Sequence, residues 1–579
     1  MSSPFFGLEI GASALRAAQQ LLDTAAHNVS NANTPGYSRQ QVSLVEAPPY
    51  TSPGFNRTGL PGQIGSGVSV SAITRVRDSF LDLQVQAQAG VMGEWNTRQQ
   101  ELAKIEALFP EPSDSGLGGT LSKYWNAWQD LAADPTSAAA RASVTEQATS
   151  LASQINQDST QLGMIASGID SQVSDQVDTV NSLASQIASL NGQIQRVTVT
   201  GGHANDLMDE REQLIEKLTA IVPASVTTQL DGSVTVQVGG TDLVTSVNAR
   251  QLVAQKDASG HVNPTWADGS AITLPTGQLK ALLSVRDGDL ASYQSQLDEL
   301  AKGIADATNA ISARGFDATG AAGQAFFTYH AGNPAGTLAV SQAVAADPRL
   351  VAAASSAGDP GDGSVAGLIA DLRNALSYSA GVPGTDVVGG TDLTTNGTAH
   401  VMTIAAGGAL GQTWTFSGSG SSLTLTGADG STQTIDVADM AAGTTQVLNF
   451  DQLGIELTIS APVDAKAGAD LVTDLTAPGH NSLVTTSLYS PAQTTADFYS
   501  GLVGKIGSSS GQAQEMAQNQ QLVVDQIQQR VDETSGVSLD EEATNMIQYQ
   551  HAYQAAARVI TVMDEMLNTL INDTGLVGR

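Results

Sequence analysis

Cysteine is absent from all 579 residues. Its absence excludes disulfides, iron–sulfur clusters, thiolate zinc sites and thiol catalysis together, and leaves the chain indifferent to the redox state around it. Positive charge is scarce as well: 25 Lys and Arg stand against 57 Asp and Glu, a formal net charge of −32. A surface of that sign repels phosphate backbones, so nucleic acid is not an expected partner. Aromatic residues make up only 4%, and the abundance of small residues points to secreted assemblies rather than to enzymes with deep apolar pockets. No run approaches the roughly 18 apolar residues of a membrane span. The N-terminus has neither a basic region nor a continuous apolar one and carries Glu9, so no cleaved signal peptide is expected, and a secreted product would need another export route.

Signs of chemistry are equally thin. His27, His203, His261, His330, His400, His480 and His551 are scattered, with no pair at i, i+4 spacing, so no metal site is expected. Gly504-Lys505 lacks the upstream glycine and the following Ser or Thr of a phosphate loop. Asp540, Glu541 and Glu542 fall where the dipole of a starting helix favours acids, which explains them without catalysis. Trp125 and Trp128, three apart on one helix face, read as packing anchors rather than a sugar platform. No catalytic residue, cofactor or metal is expected.

Length argues for about three or four domains, because single cores stop growing near ~250–300 residues. Both ends read as helical. Leu8, Leu15, Leu22 and Val29 recur every seven residues, with Gly11, Ala18, Ala25 and Ala32 on the second seam position. That helix must stop at Asn33-Thr34-Pro35-Gly36-Tyr37, where Pro35 fixes φ and disfavours a helical Thr34. At the other end, Ser538 followed by Glu541 reads as a capping box. Beyond it a second heptad runs through Leu539, Met546, Tyr553, Ile560 and Leu567, with Tyr549, Ala556, Met563 and Leu570 beside it. Narrow-seamed helices are marginal alone and take their stability from a partner. The two ends are therefore expected to pair, with neighbouring subunits covering what remains.

Between them, residues from Asp78 to about Val222 carry helical periodicity. Its longest stripe is Val173, Val177, Val180, Ala184, Ile187 and Ile194, interrupted by Asn191. Residues 223–276 alternate as strands around the Asp231-Gly232 turn, and helix returns at Gly277 to Arg314. Residues 379–480 hold short β-branched runs separated by turn dipeptides, as in Leu423-Thr424-Leu425-Thr426 before Asp429-Gly430, which argues for an inserted all-β domain. The expected fold is multidomain and mainly α: paired N- and C-terminal coiled-coil helices and a helical bundle, with inserted all-β domains.

Several segments also resemble a known family. Ala14-Leu15-Arg16 through Leu22 and His27-Asn28-Val29-Ser30-Asn31-Ala32-Asn33-Thr34-Pro35-Gly36-Tyr37-Ser38-Arg39-Gln40 resemble the N-terminal signature of the flagellar rod, hook and hook-associated axial proteins. Ser535 to Glu542, Met546 to Gln550, Tyr553-Gln554-Ala555, Arg558-Val559-Ile560 and Asp564-Glu565-Met566 resemble their C-terminal signature. The Leu-Asp-Glu-Glu form at 539–542, the blocks around Glu111 to Leu117 and Trp125 to Pro135, and Asn205 to Arg211 with Leu214 are similar to hook-associated members more than to hook or rod proteins.

The resemblance implies a non-enzymatic structural component of the extracellular flagellum that joins hook to filament. Its implied partners are further copies of itself in a ring, hook protein, a second hook-associated junction protein, and an export chaperone on the C-terminal helix during type III export. The expected division is 1–45 with 536–579 as an inner-tube assembly domain, 46–222 with 277–378 and 480–535 as a rod-like helical domain, 223–276 as a small β insert and 379–479 as a variable outer β domain. The residues expected to carry assembly are Leu8, Leu15, Leu22, Val29, Met546, Tyr549, Tyr553, Ile560, Met563, Leu567 and Leu570. Asn33, Pro35, Gly36 and Tyr37 form the expected turn, and Ser538 and Glu541 the expected cap. Another hook or distal rod protein, or a secreted glycan-binding or wall-hydrolysing protein carrying axial helices, is the alternative.

Overall fold

The structure, a computed structural model, describes residues 5–49, 65–113, 116–374 and 494–572, and between them the segments 393–395, 398–400, 402–406, 413–427, 432–439, 441, 445–450, 455–460, 467–476 and 482–484. Expectations that touch residues 50–64, Asp114, Ser115, Asp429, Gly430 or His480 lie outside the described residues.

Helix α1 (Phe6–Asn31) ends before Pro35, and the chain turns into a hairpin of β1 (Gln40–Glu46) and β2 (Val68–Arg75). Helices α2 (Ser79–Glu106), α3 (Leu117–Ala133), α4 (Ala138–Val199) and α5 (Asn205–Ile221) follow. Six short strands come next: β3 (Ala224–Thr228), β4 (Val234–Val238), β5 (Thr241–Thr245), β6 (Asn248–Ala249), β7 (Leu252–Lys256) and β8 (Val262–Trp266). Helix α6 (Gln278–Ser284) runs through a π-helical turn at Val285–Leu290 into α7 (Ala291–Ser312). After a region of short strands the chain closes with α8 (Thr495–Ser535) and α9 (Leu539–Asn572). This is a mainly helical, multidomain fold with paired terminal helices and inserted antiparallel sheets.

The chain forms two compact units. The first comprises Met1–Glu101, Ser167–Val285 and Gly511–Arg579. Its core lies along α4, where Val173, Val177, Val180, Ala184, Ile187 and Ile194 are all buried, and continues into Ile215 and Leu218 of α5 and Val234, Val236 and Val238 of β4. Strands β3 to β6 pair in sequence order and β7 pairs with β8, all antiparallel, with Gly232 at φ 80° in the turn before β4. Asn191, which breaks the apolar stripe, is fully buried. Its amide donates to the Val234 and Ser246 carbonyls at 2.8 and 2.7 Å and accepts from Val234 N at 3.0 Å. Asn181 does the same for Leu252, donating at 2.9 Å and accepting at 2.8 Å. The two amides thus supply hydrogen bonds to strand backbone that would otherwise be buried unpaired.

The second unit comprises Leu102–Ala166 and Arg286–Ser510. Tyr124, Trp128, Phe326 and Phe327 form its aromatic core, with ring centroids 5.2 Å apart for Trp128 and Phe326 and 4.9 Å for Phe326 and Phe327. Trp125 and Trp128 are both buried, consistent with packing. Asn309 of α7 caps the Phe326–Phe327 backbone, accepting from both amides at 2.7 and 2.8 Å. The described strands between 393 and 484 belong to this unit and are antiparallel. Their four-stranded sheet has the order Thr432–Asp436, Ser422–Gly427, Thr413–Ser419, Ser482–Val484.

Candidate assembly surface

Helices α1 and α9 lie against each other in the first unit and run antiparallel: Gly7 faces Met563, Gly11 faces Ile560, and Asn28 bonds Glu542. The chain therefore returns to the end where it began. The seam is tight because one side is small. A Cβ on Gly11 would stand 2.8 Å from Cγ1 of Ile560, and Gly11, Ala18 and Ala25 are buried. Opposite them Ala556 and Glu542 are buried, while Met546, Tyr549, Ile560, Met563 and Leu567 are half-buried, as are Leu8, Leu15 and Leu22 on α1.

Val29 and Tyr553 are each 37% exposed, and Leu539 and Leu570 more than half exposed. Leu570 lies past the N-terminal end of α1, since Met563 already faces Gly7, while Tyr553 stands out between Met546 and Ile560, which share its heptad position and are half-buried. The outer face of α9 is apolar: Val559, Val562, Met566 and Leu570, spaced by three, four and four residues, are 47–58% exposed, with Ile547 in the same range.

The turn after α1 fastens this pair to the rest of the unit. The Tyr37 amide donates to the Thr34 carbonyl at 3.2 Å, Gly36 has φ 76°, and Asn33, Pro35 and Gly36 are exposed. Tyr37 is half-buried and its hydroxyl donates to Oδ1 of Asn28 at 2.7 Å. Asn28, itself 1% exposed, also accepts from Gln40 N and donates to the Gln40 carbonyl, both at 2.9 Å. Burial, and then the charges of Asp206, Asp209 and Glu542, push the Tyr37 phenol up, so it remains a donor. Burial also raises the Glu542 carboxyl, opposed by the Asn28 bond and by Arg39.

At the start of α9, Ser538 Oγ accepts from Glu541 N at 3.4 Å. The carboxylate of Glu541 accepts from Arg39 at 2.7 Å. The cap therefore has its serine half, while the glutamate is drawn to a cation from the opposite end of the chain. Arg39 N also donates to the Ser535 carbonyl at 2.9 Å.

The fold decides what two segments do. The block Asn205 to Arg211 is the anchor for the turn: Asp209 takes the backbone and hydroxyl of Ser38 at 2.9 and 2.7 Å, and Asn205 donates to Gln40 and to the Ile73 carbonyl. The available signal was a charge on a buried stripe, since Arg211 shares the i, i+4, i+7 face of Ile215 and Leu218. Gly507-Ser508-Ser509-Ser510-Gly511 has nucleophile-elbow spacing, but it lies inside α8 rather than on a strand-to-helix turn. Among the described residues no group of three His, Asp or Glu is placed to hold a metal ion, and no helix is long and apolar enough to cross a membrane.

Comparison with known proteins follows the same segments. A family profile described as the flagellar hook-associated protein FlgK helical domain matches residues 102–327. One for the flagellar basal body rod FlgEFG protein C-terminal region matches 528–573, and one for flagella basal body rod protein matches 8–37. Flagellar hook-associated protein 1 of Bacillus subtilis is 30% identical over 581 residues, covering 100% of both chains. The Salmonella typhimurium protein of that name is 29% identical over 595 residues, covering 97% of this chain and 98% of its own. Among solved structures, the flagellar hook junction protein FlgK from Burkholderia pseudomallei superposes with a TM-score of 0.51 at 19% identity, over 77% of this chain and 99% of that one, a likeness of fold.

Proposed function

The chain belongs to the flagellar hook-associated protein 1 family, as a structural protein of the hook–filament junction of the bacterial flagellum, and on that premise we propose that it builds the junction by polymerising through the α1–α9 pair. The apolar outer face of α9 carries this reading: it is more than a monomer needs to leave in water, and packing against neighbouring copies, hook protein and a second hook-associated protein closes it. Leu8, Leu15, Leu22, Met546, Tyr549, Ile560, Met563 and Leu567 hold the pair; Val29, Tyr553 and Leu570 face its neighbours.

In this reading residues 1–45 and 536–579 form the inner tube, 46–222 with 277–378 and 480–535 the rod-like wall, 223–276 a small insert and 379–479 an outer domain. The same stripe, uncovered before assembly, is the feature an export chaperone would bind during type III export without a cleaved signal peptide. The role is mechanical rather than catalytic, in line with relatives that are flagellar structural proteins. Deleting residues 1–30 or 545–579 is expected to leave the second unit folded and to abolish incorporation at hook ends. Junction assembly by either truncated chain would sink the proposal.

A further inference from the structure

A helix pair that polymerises must be presented in one orientation, and the group that sets it lies on neither terminal helix. We infer that Asp209 of α5 is the positioning residue that locks the α1–α9 pair onto the body of the first unit. The consequence for assembly rests on the function proposed above; the geometry does not.

Asp209 is 4% exposed. Its Oδ2 accepts from Ser38 N at 2.9 Å, and its Oδ1 accepts from Ser38 Oγ and from Arg75 Nη1, each at 2.7 Å, with Arg77 Nη1 at 3.7 Å. Ser38 closes the turn after α1, Arg75 ends β2, and Arg77 grips Asp82 in the first turn of α2 at 2.6 and 3.1 Å. One buried carboxylate of α5 therefore gathers the turn, the hairpin and, through Arg77, helix α2.

The other bonds from the turn to α5 differ in kind. Gln213 to the Pro35 carbonyl at 2.7 Å and Gln40 to Asp206 at 2.8 Å are exposed, and Asn205 to Gln40 at 3.1 Å is neutral. Charge-assisted bonds are roughly twice as strong as neutral ones, and exclusion of water strengthens them further. A carboxylate accepts from every partner here and donates to none. An amide of the same shape must turn its NH2 toward either the Ser38 amide or the Arg75 guanidinium, so one side of the node fails whichever way it flips.

The experiment uses the full chain, whose lack of cysteine makes introduced labels unique. Spin labels go on exposed Gln548, near the start of α9, and exposed Thr227 of β3, both in the first unit. In the native sequence the distance distribution is narrow. In Asp209→Asn it broadens at least about twofold with helical content unchanged, and incorporation at hook ends falls about tenfold or more. If that variant fails to fold, Arg75→Gln, which keeps Ser38 on the carboxylate, is expected to show the same broadening to a smaller degree. A distribution as narrow as the native one in the folded variants overturns the inference, and broadening with native incorporation overturns its consequence for assembly. Failure of the native chain to incorporate would instead strike the assembly reading, while the distances still judge Asp209.

Discussion

In the second unit, Tyr124, Trp128, Phe326 and Phe327 are each at most 1% exposed, and the backbone around them is capped by Asn309. In the first unit, α9 rests on α1 through a seam of glycine and alanine and turns Val559, Val562 and Met566 to solvent. Both are helical packings of one chain, but the aromatic core is closed to solvent and the terminal pair leaves an apolar stripe exposed. Large side chains in a dry core give local stability independent of any partner. A narrow seam of small residues gives close approach with little buried area. Under the proposed function, stability in solution and capacity to assemble are lodged in different places.

Mutations on either side should separate the two. Trp128→Ala removes the centre of the aromatic core and is expected to destabilise the second unit by about 3–5 kcal/mol in denaturant titrations. Exchange in α1 and α9 should hardly change. Asp158, 3% exposed, has its carboxyl pushed up by burial to about 6, with Gln154 bonding it and Glu111 adding repulsion. An acid whose folded pKa is raised contributes stability below the unfolded value, near 4, and loses it as pH rises through about 6. The second unit should therefore gain stability on acidification from neutral pH, by at most about 3 kcal/mol from this group, and Asp158→Asn should abolish that component.

On the other side of the comparison, Gly11→Val drives a side chain into Ile560 and should open the pair at a cost of about 1–3 kcal/mol, read as faster hydrogen exchange in α1 and α9 with the melting of the second unit unmoved. The smallest effect on the monomer is expected for Val562→Asn on the outer stripe, within about 0.5 kcal/mol, yet this variant should fail to enter junctions. A loss of monomer stability as large as that of the core variant would mean that the stripe is already covered.

Much of this contrast was legible in the residues. The stop at Pro35, the start after Ser538, the stripe along α4 and the strands after Ile221 are local signals, and local signals survive into the fold. The pairing of the two ends followed from their shared narrowness. What stayed hidden was tertiary. Asn191 looks like a flaw in a stripe until Val234, at the start of β4, supplies its partners. Glu541 looks like the second half of a capping box until Arg39, 502 residues away in the chain, competes for it. Asp209 looks like one more acid in a chain of 57 such residues, because nothing local announces that Ser38 and Arg75 converge on it. Leu570 keeps the seven-residue period, but α1 ends before it, since Met563 already faces Gly7.

A terminal pair anchored at one end and completed only by assembly should show itself in hydrogen exchange of the full chain, alone and after addition of hook fragments. In the monomer, protection is expected to fall away along α9 from Leu539 toward Asn572, with α1 fading in parallel toward Phe6, and both helices are expected to become protected throughout on hook ends. Uniform protection of α1 and α9 in the monomer, equal to that of α3 and α7 and unchanged by hook fragments, would contradict it.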